Sequence, residues 1–113
     1  MTQYIIYFNH QWVGDHSEAW YRERGPLAKA IVDQIRAAGE YVFAAGVDED
    51  LRKAFTADPT SGTVEITDGQ FAPGEQYLGG LTIIDVADEA RAGFWAGKIA
   101  EACGWPQETR RVY

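Results

Sequence analysis

The chain has 113 residues, which is enough for one hydrophobic core and too few for two, so residues 1–113 are predicted to form a single domain. A composition that is 46% hydrophobic and 24% charged is typical of a folded protein and excludes a disordered chain. Its 17 acidic residues against 10 basic ones give a net charge of -7, which argues against nucleic acid or an anionic membrane surface as a partner.

The N-terminal segment has no basic leader and no stretch of the chain approaches the apolar length of a membrane span, so a cytoplasmic protein is expected. Cys103 is the only cysteine, which rules out an internal disulfide and agrees with a reducing compartment. We predict that it is a small buried side chain near the end of a helix.

The first half of the chain is predicted to be strand, loop, helix and strand. Residues 3–8 are β-branched and aromatic without interruption, as in a strand buried on both faces. Residues 9–25 mix His, Gly, Asp, Ser and Trp, which indicates a long loop. Pro26 suits a first helical position, and apolar residues recur at helical spacing until Gly39 ends the helix. Residues 40–46 then predict the second strand.

The second half is predicted to contain strands, a glycine-rich turn and a second helix. Residues 47–62 indicate a surface connection with at most one helical turn, and residues 63–67 alternate as a half-exposed strand does. Residues 81–86 are a β-branched strand, and Asp88 is a suitable N-cap for the helix that follows. The tail, 108–113, predicts a closing edge strand.

These five strands and two helices are assigned to an α+β protein with the ferredoxin-like βαββαβ sandwich, in which two helices cover one face of an antiparallel sheet. The other face of such a sheet is normally polar. The first strand, however, places Tyr4, Ile6 and Phe8 on one side and Ile5 and Tyr7 on the other. Both faces therefore need cover, which a second copy of the chain or a ligand cleft roofed by the 9–25 loop would supply.

Residues 67–71 (TDGQF), followed by Leu78-Gly79-Gly80 and the strand after them, carry a resemblance to a known family. They resemble the DGPF motif and the L-G-G strand of the YCII-related (DGPF-domain) family. The resemblance implies a small ferredoxin-like domain that dimerises through its sheet into a dimeric α/β barrel. Some members of that family are associated with alternative sigma factors, and a few act on small cyclic compounds in dehydrohalogenase-type or isomerase-type reactions.

The sequence departs from the family pattern at polar positions. Gln70 stands where the motif has proline, and Pro73 and Glu75 replace an acidic and a basic residue, respectively. In the enzymatic branch a histidine lies near the start of the first helix, whereas residues 24–28 here contain none. No catalytic histidine is therefore carried over from the family.

Asp68, His16 and His10 are the candidates for proton transfer. Asp68-Gly69 directly follows a strand, where an aspartate forms a turn or, when buried, orients or deprotonates a ligand. His16 and His10 lie in the 9–25 loop, either as surface residues or as general bases. We select His16 and Asp68 as the catalytic candidates and His10 as a ligand contact. The histidine spacing fits no zinc site, and no cofactor is indicated.

Aromatic residues outside the predicted core are the other ligand candidates. Trp12, Trp20 and Tyr21 lie in the 9–25 loop, and Phe71 lies in the motif, where they would line a ligand site or a dimer seam.

Three functions remain open. The first is a homodimeric domain that binds a small apolar or aromatic ligand between the sheet and the 9–25 loop, without chemistry. The second is an isomerase-type or lyase-type enzyme, and the third is a protein-interaction module for a partner such as a sigma factor.

Overall fold

The chain folds into a four-stranded antiparallel sheet with two helices on one face and a separate two-stranded hairpin. The computed structural model describes residues 1–113. In chain order, the elements are β1 (Thr2–Asn9), α1 (Glu18–Ala37), β2 (Tyr41–Gly46), β3 (Phe55–Asp58), β4 (Glu65–Asp68), β5 (Leu78–Val86), α2 (Glu89–Cys103) and β6 (Glu108–Val112). The main sheet has the order β2-β5-β1-β6, and β3 pairs with β4. The α+β class is confirmed, and this sheet with its two helices is compatible with the predicted ferredoxin-like fold.

The core lies between the two helices and the inner face of the sheet. Ile6 of β1 and Ile84 and Val86 of β5 are fully buried there. They pack with Ile35 of α1 and with four residues of α2: Ala92, Trp95, Ile99 and Cys103. The prediction that Cys103 is buried at a helix end is confirmed, because it is the last residue of α2.

The prediction of a loop over residues 9–25 is wrong in its second half, because α1 begins at Glu18. Ser17 caps the helix, and its side chain accepts a hydrogen bond from the backbone N–H of Trp20. Pro26, which appeared to begin the helix, lies inside it. The turns before Gly25-Pro26 are held by packing against the end of the chain. The centre of the Trp20 ring lies 6.1 Å from that of Trp105.

The connection between β2 and β5 contains one strand more than the sequence predicted. Residues 63–67 were expected in the main sheet, but β4 instead pairs with β3, from Phe55↔Asp68 to Asp58↔Glu65. The third strand of the main sheet is β5, which begins at Leu78, three residues before the predicted Leu81. The strand alternation at 63–67 was correct, but alternation does not identify a strand's partner.

A buried ion pair fixes the start of β2 against α2. Glu40 is 8% exposed, and its carboxylate accepts hydrogen bonds from Arg91 Nη2 at 2.6 Å and Nε at 2.8 Å. Trp95 Nε1 donates a third bond to it at 3.2 Å. These bonds hold the pKa of Glu40 below its usual range, chiefly through the Arg91 guanidinium.

The outer face of the main sheet carries a group of apolar side chains, and neither helix covers it. Ile5 of β1 is paired with Ile83 of β5 on this face, and Phe43 of β2 lies beside Ile83. All three side chains are partly or largely exposed in the single chain. Neither helix combines the length and hydrophobicity needed to cross a membrane.

Candidate functional site

A cleft of about 470 Å³ lies between α1 and the inner face of the sheet. The volume is within the range of about 300–1,000 Å³ that is usual for small-molecule sites. Its walls come from β1, α1, β2, β5 and α2, and its apolar lining includes Phe8, Val32, Tyr41, Ala44 and Ile99. The cleft is therefore on the helix side of the sheet, whereas the sequence placed it under the 9–25 loop.

Small residues on β5 and β2 create the space for this cleft. Gly80 lines it, together with Ala44 and Gly46 of β2. The Phe8 ring packs directly on Gly80, where an added Cβ would lie 2.8 Å from the ring. A side chain at Gly80 would thus displace Phe8 from the cleft wall, which explains why glycine is needed there.

Two uncharged polar side chains lie on the wall of the cleft. Thr82 and Gln107 line the cleft, and Gln107 Nε2 is buried without a hydrogen-bond partner. Buried donors are normally paired, so an unpaired one on the wall of a cleft is suited to an acceptor on a bound molecule. Cys103 also lines the cleft, and burial raises the pKa of its thiol.

The charged residues of the cleft lie on α1 and are paired with one another. Lys29 Nζ lies 3.0 Å from the Asp33 carboxylate, and Arg36 lies 3.9 Å from it. The Arg36 guanidinium also stacks on the Tyr41 ring at 4.4 Å. The Asp33 carboxylate is shared by two cations, and none of the three groups is placed as an isolated acid or base.

An aromatic cluster adjoins the cleft behind Phe8. The Trp105 ring lies 5.1 Å from Phe8, and Trp20 continues the cluster with Arg24 stacked on its face at 4.6 Å. Arg24 Nε and Trp105 Nε1 are two further buried donors without partners. The tryptophans at this position make binding in the cleft observable by their fluorescence.

His16, the predicted catalytic base, lies in a different place, against the first turn of α1. Its ring stacks on Trp20 at 3.6 Å, and its Nε2 is 2.9 Å from the carbonyl oxygen of Val13. A carbonyl only accepts, so Nε2 carries the proton and donates it there. Tyr21 closes the same turn, because its hydroxyl donates to the Gly14 carbonyl at 2.8 Å. Both side chains hold the loop together.

His10 borders a second, more polar cavity of about 390 Å³. Its Nε2 lies 3.2 Å from a carboxylate oxygen of Glu49, and its ring stacks on Tyr77. Tyr21 lines the same cavity, so two of the predicted ligand contacts are brought together there.

Of the remaining predicted residues, Trp12 lies in the same short 3-10 helix as His10, whereas Asp68 and Phe71 contact neither histidine. Trp12 donates to the Gln76 side chain at 3.2 Å. Asp68 ends β4 in the hairpin, and Phe71 lies just beyond it, largely exposed. No hydrogen bond, ring contact or cavity joins His16 to Asp68. No group of three or more His, Cys, Asp or Glu side chains is placed to share a metal ion.

The sequence did not reveal the cleft or its polar residue Gln107. The one available signal was Gly79-Gly80, which indicates close approach of another chain segment. In the structure Phe8 packs on both glycines, because an added Cβ would lie 2.6 Å from its ring at Gly79 and 2.8 Å at Gly80. The cleft volume itself depends on the distance between α1 and β2, which no local pattern encodes.

Comparison of the chain with protein-family models and with curated proteins gives no match. The resemblance to the YCII-related family therefore stays a prediction that rests on residues 67–86.

Proposed function

We propose that the protein is a homodimeric domain that binds a small apolar or aromatic ligand in the cleft between α1 and the sheet. The observation that carries this proposal is the unpaired Gln107 Nε2 in a cleft of about 470 Å³ whose lining is mainly apolar away from the charged residues of α1. Apolar walls provide affinity through burial, and a single polar group fixes orientation. The ligand that fits best is a ring system bearing one hydrogen-bond acceptor.

Binding without chemistry agrees with the groups that line the cleft. The thiolate is the reactive form of cysteine, and the raised pKa of Cys103 keeps its thiol protonated at neutral pH. The ionic groups at the cleft, Lys29, Asp33 and Arg36, are engaged with one another. The enzymatic alternative requires Asp68 to act together with His16 or His10, and Asp68 shares neither a contact nor a cavity with either histidine.

The outer face of the sheet supports the homodimer. Ile5, Ile83 and Phe43 form an apolar surface on it that a second copy would bury by packing sheet against sheet. Such an arrangement is the dimeric α/β barrel implied by the resemblance to the YCII-related family. The ligand clefts would then lie on the two helix-covered sides, away from the dimer seam.

The test compares two ligands of matched shape, 2-acetylnaphthalene and 2-ethylnaphthalene, by quenching of tryptophan fluorescence. Wild type is expected to bind both at one site per chain and to favour the acetyl compound about threefold to tenfold, the value of one hydrogen bond. Gln107→Leu should bind both equally. Ala44→Phe should fill the cleft and abolish binding, while the matched control Ala90→Phe, on the exposed start of α2, should leave binding intact.

Two results would contradict the proposal. One is binding that persists unchanged in Ala44→Phe, because the ligand would then be elsewhere. The other is no saturable binding of either naphthalene by wild type.

A further inference from the structure

The hairpin formed by β3 and β4, residues 55–68, is an arm that stands away from the rest of the fold. Its strands pair only with each other. The bonds at its base also lie within it: Gly69 N–H donates to the Ala54 carbonyl and the Thr56 hydroxyl donates to the Gly69 carbonyl, both at 2.8 Å. A two-stranded hairpin is only marginally stable in water without a surface to pack on.

One side of the arm is apolar. The pairs Phe55↔Asp68 and Ala57↔Ile66 place these four side chains on the same side, because paired and alternate residues of a hairpin share a face. Phe55 is 72% exposed and Ile66 is 62% exposed. Both side chains therefore leave most of their apolar surface in water, which favours a partner that covers them. Asp68 is the one charge on this side, and it makes no ion pair.

The single chain exposes more surface than a compact monomer does. A protein of 12.6 kDa is expected to expose about 6,200 Å², and this chain exposes 7558 Å². Its radius of gyration is 16.3 Å, against about 13 Å expected for its length. The excess area is larger than the roughly 800 Å² that each partner contributes to a stable interface. A second copy of the chain accounts for an excess of this size.

A groove of about 480 Å³ on the outer face of the sheet matches the arm in chemistry. It lies along β1 and β6, and its apolar lining is Ile5, Tyr7, Leu78 and Val112. Arg110 and Arg111 also line it, and neither makes an ion pair within the chain. The arm is thus an apolar surface with one free carboxylate, and the groove is a partly apolar surface with two arginines that can pair with a carboxylate.

We propose that the arm of each protomer packs its apolar side into this groove on a second copy of the chain. Phe55 and Ile66 lie against the partner subunit's Val112, beside the surface where the two sheets pack, and Asp68 pairs with the partner subunit's Arg110. A two-fold axis makes the contact self-complementary, so both arms and both grooves are filled at once. The inference rests on the homodimer proposed above and assigns Asp68 a place in an interface.

The test is a charge exchange read by sedimentation equilibrium. Asp68→Arg and Arg110→Asp should each raise the dissociation constant of the dimer tenfold or more, because each places like charges together. The double variant Asp68→Arg/Arg110→Asp should restore it to within about threefold of wild type. The matched control Glu65→Arg changes the same charge on the opposite side of the arm, and its dissociation constant should stay near the wild-type value.

The outcomes separate this inference from the homodimer itself. A wild-type chain that remains monomeric at all concentrations would overturn both. A wild-type dimer that is insensitive to Asp68→Arg, or equally sensitive to Glu65→Arg, would overturn the arm and leave the homodimer standing. Failure of the double variant to recover would overturn the pairing of Asp68 with Arg110.

Discussion

Removing Arg91 should destabilise the protein more than removing any other arginine that makes an ion pair. In Arg91→Ala, the buried Glu40 carboxylate would keep only the hydrogen bond from Trp95 Nε1. Leaving one member of a buried pair without its partner costs about 3–5 kcal/mol. The Arg91 side chain is 38% exposed, so water partly replaces it and the lower end, about 3 kcal/mol, is expected.

The same pair makes stability depend on pH. The pKa of Glu40 is lower in the folded protein than in the unfolded chain, where a glutamate titrates at about 4.3. The contribution of the pair is therefore complete above that unfolded value, and it is lost as pH falls through the lower folded value. Glu40→Gln has no group to titrate at this position, so its stability should decrease less steeply below about pH 4.5.

Urea denaturation, followed by circular dichroism between pH 7 and pH 3, measures both effects. Protein concentration must be fixed, because dimerisation would add stability that depends on it. Arg22→Ala is the control, since its pair with Glu18 spans 3.8 Å at the surface and should change the free energy of unfolding by less than about 1 kcal/mol. A loss below 1 kcal/mol in Arg91→Ala, or equal pH slopes for wild type and Glu40→Gln, would refute the reasoning.

Three other predictions follow from single contacts. Ser17→Ala removes the N-cap of α1 and should cost about 1 kcal/mol in urea denaturation; no change would mean that the cap does not hold the helix start. Gly104→Ala should cost about 2 kcal/mol or more by the same assay, because φ is +89° there and a Cβ would lie 2.8 Å from the Trp20 ring; a neutral result would show that the ring moves freely. Cys103 should react with iodoacetamide at pH 8 at least tenfold more slowly in the folded protein than in urea, since burial raises the pKa of its thiol, and equal rates would contradict that burial.

The elements that the sequence predicted well carry strong local signals. The β-branched run of β5 and the N-cap at Asp88 placed the strand and the start of α2, where Asp88 accepts a hydrogen bond from the backbone N–H of Arg91. Gly104 ends that helix in the left-handed conformation, which glycine adopts readily and which is common at helix C-termini. Each of these signals acts within a few residues, so no knowledge of tertiary packing was needed.

The start of α1 could not be predicted, because distant residues decide it. A proline inside a helix costs about 3 kcal/mol, so Gly25-Pro26 favours a break on local grounds. The turns before it persist because Trp20 packs on Trp105 and covers Gly104, which lie about 80 residues further along the chain. Only the folded arrangement of α1 against the end of α2 contains that information.

The candidate site was missed for a related reason. Sequence reasoning selected residues that carry chemistry, such as His16 and Asp68, whereas the cleft is defined by side chains that are small or absent. Gly80 and Ala44 provide its volume. The hairpin arm was not predicted, because Phe55 follows a run of charged residues that indicates a surface connection. Its strand partner, Asp68, is 13 positions further along the chain, and no local pattern identifies such a pairing.

The cleft and the groove that receives the partner's arm lie on opposite faces of the main sheet. The two proposals can therefore be tested separately. Along β5, Thr82 and Ile84 face the helices, while Ile83 faces outward towards the proposed partner. A ligand in the cleft and an arm in the groove therefore contact different side chains of β1 and β5. Exchanging the charges of Asp68 and Arg110 should leave the affinity for 2-acetylnaphthalene within about twofold of wild type, at a protein concentration where both remain dimeric. A larger change would mean that the partner subunit completes the cleft, and that ligand binding and dimerisation are linked.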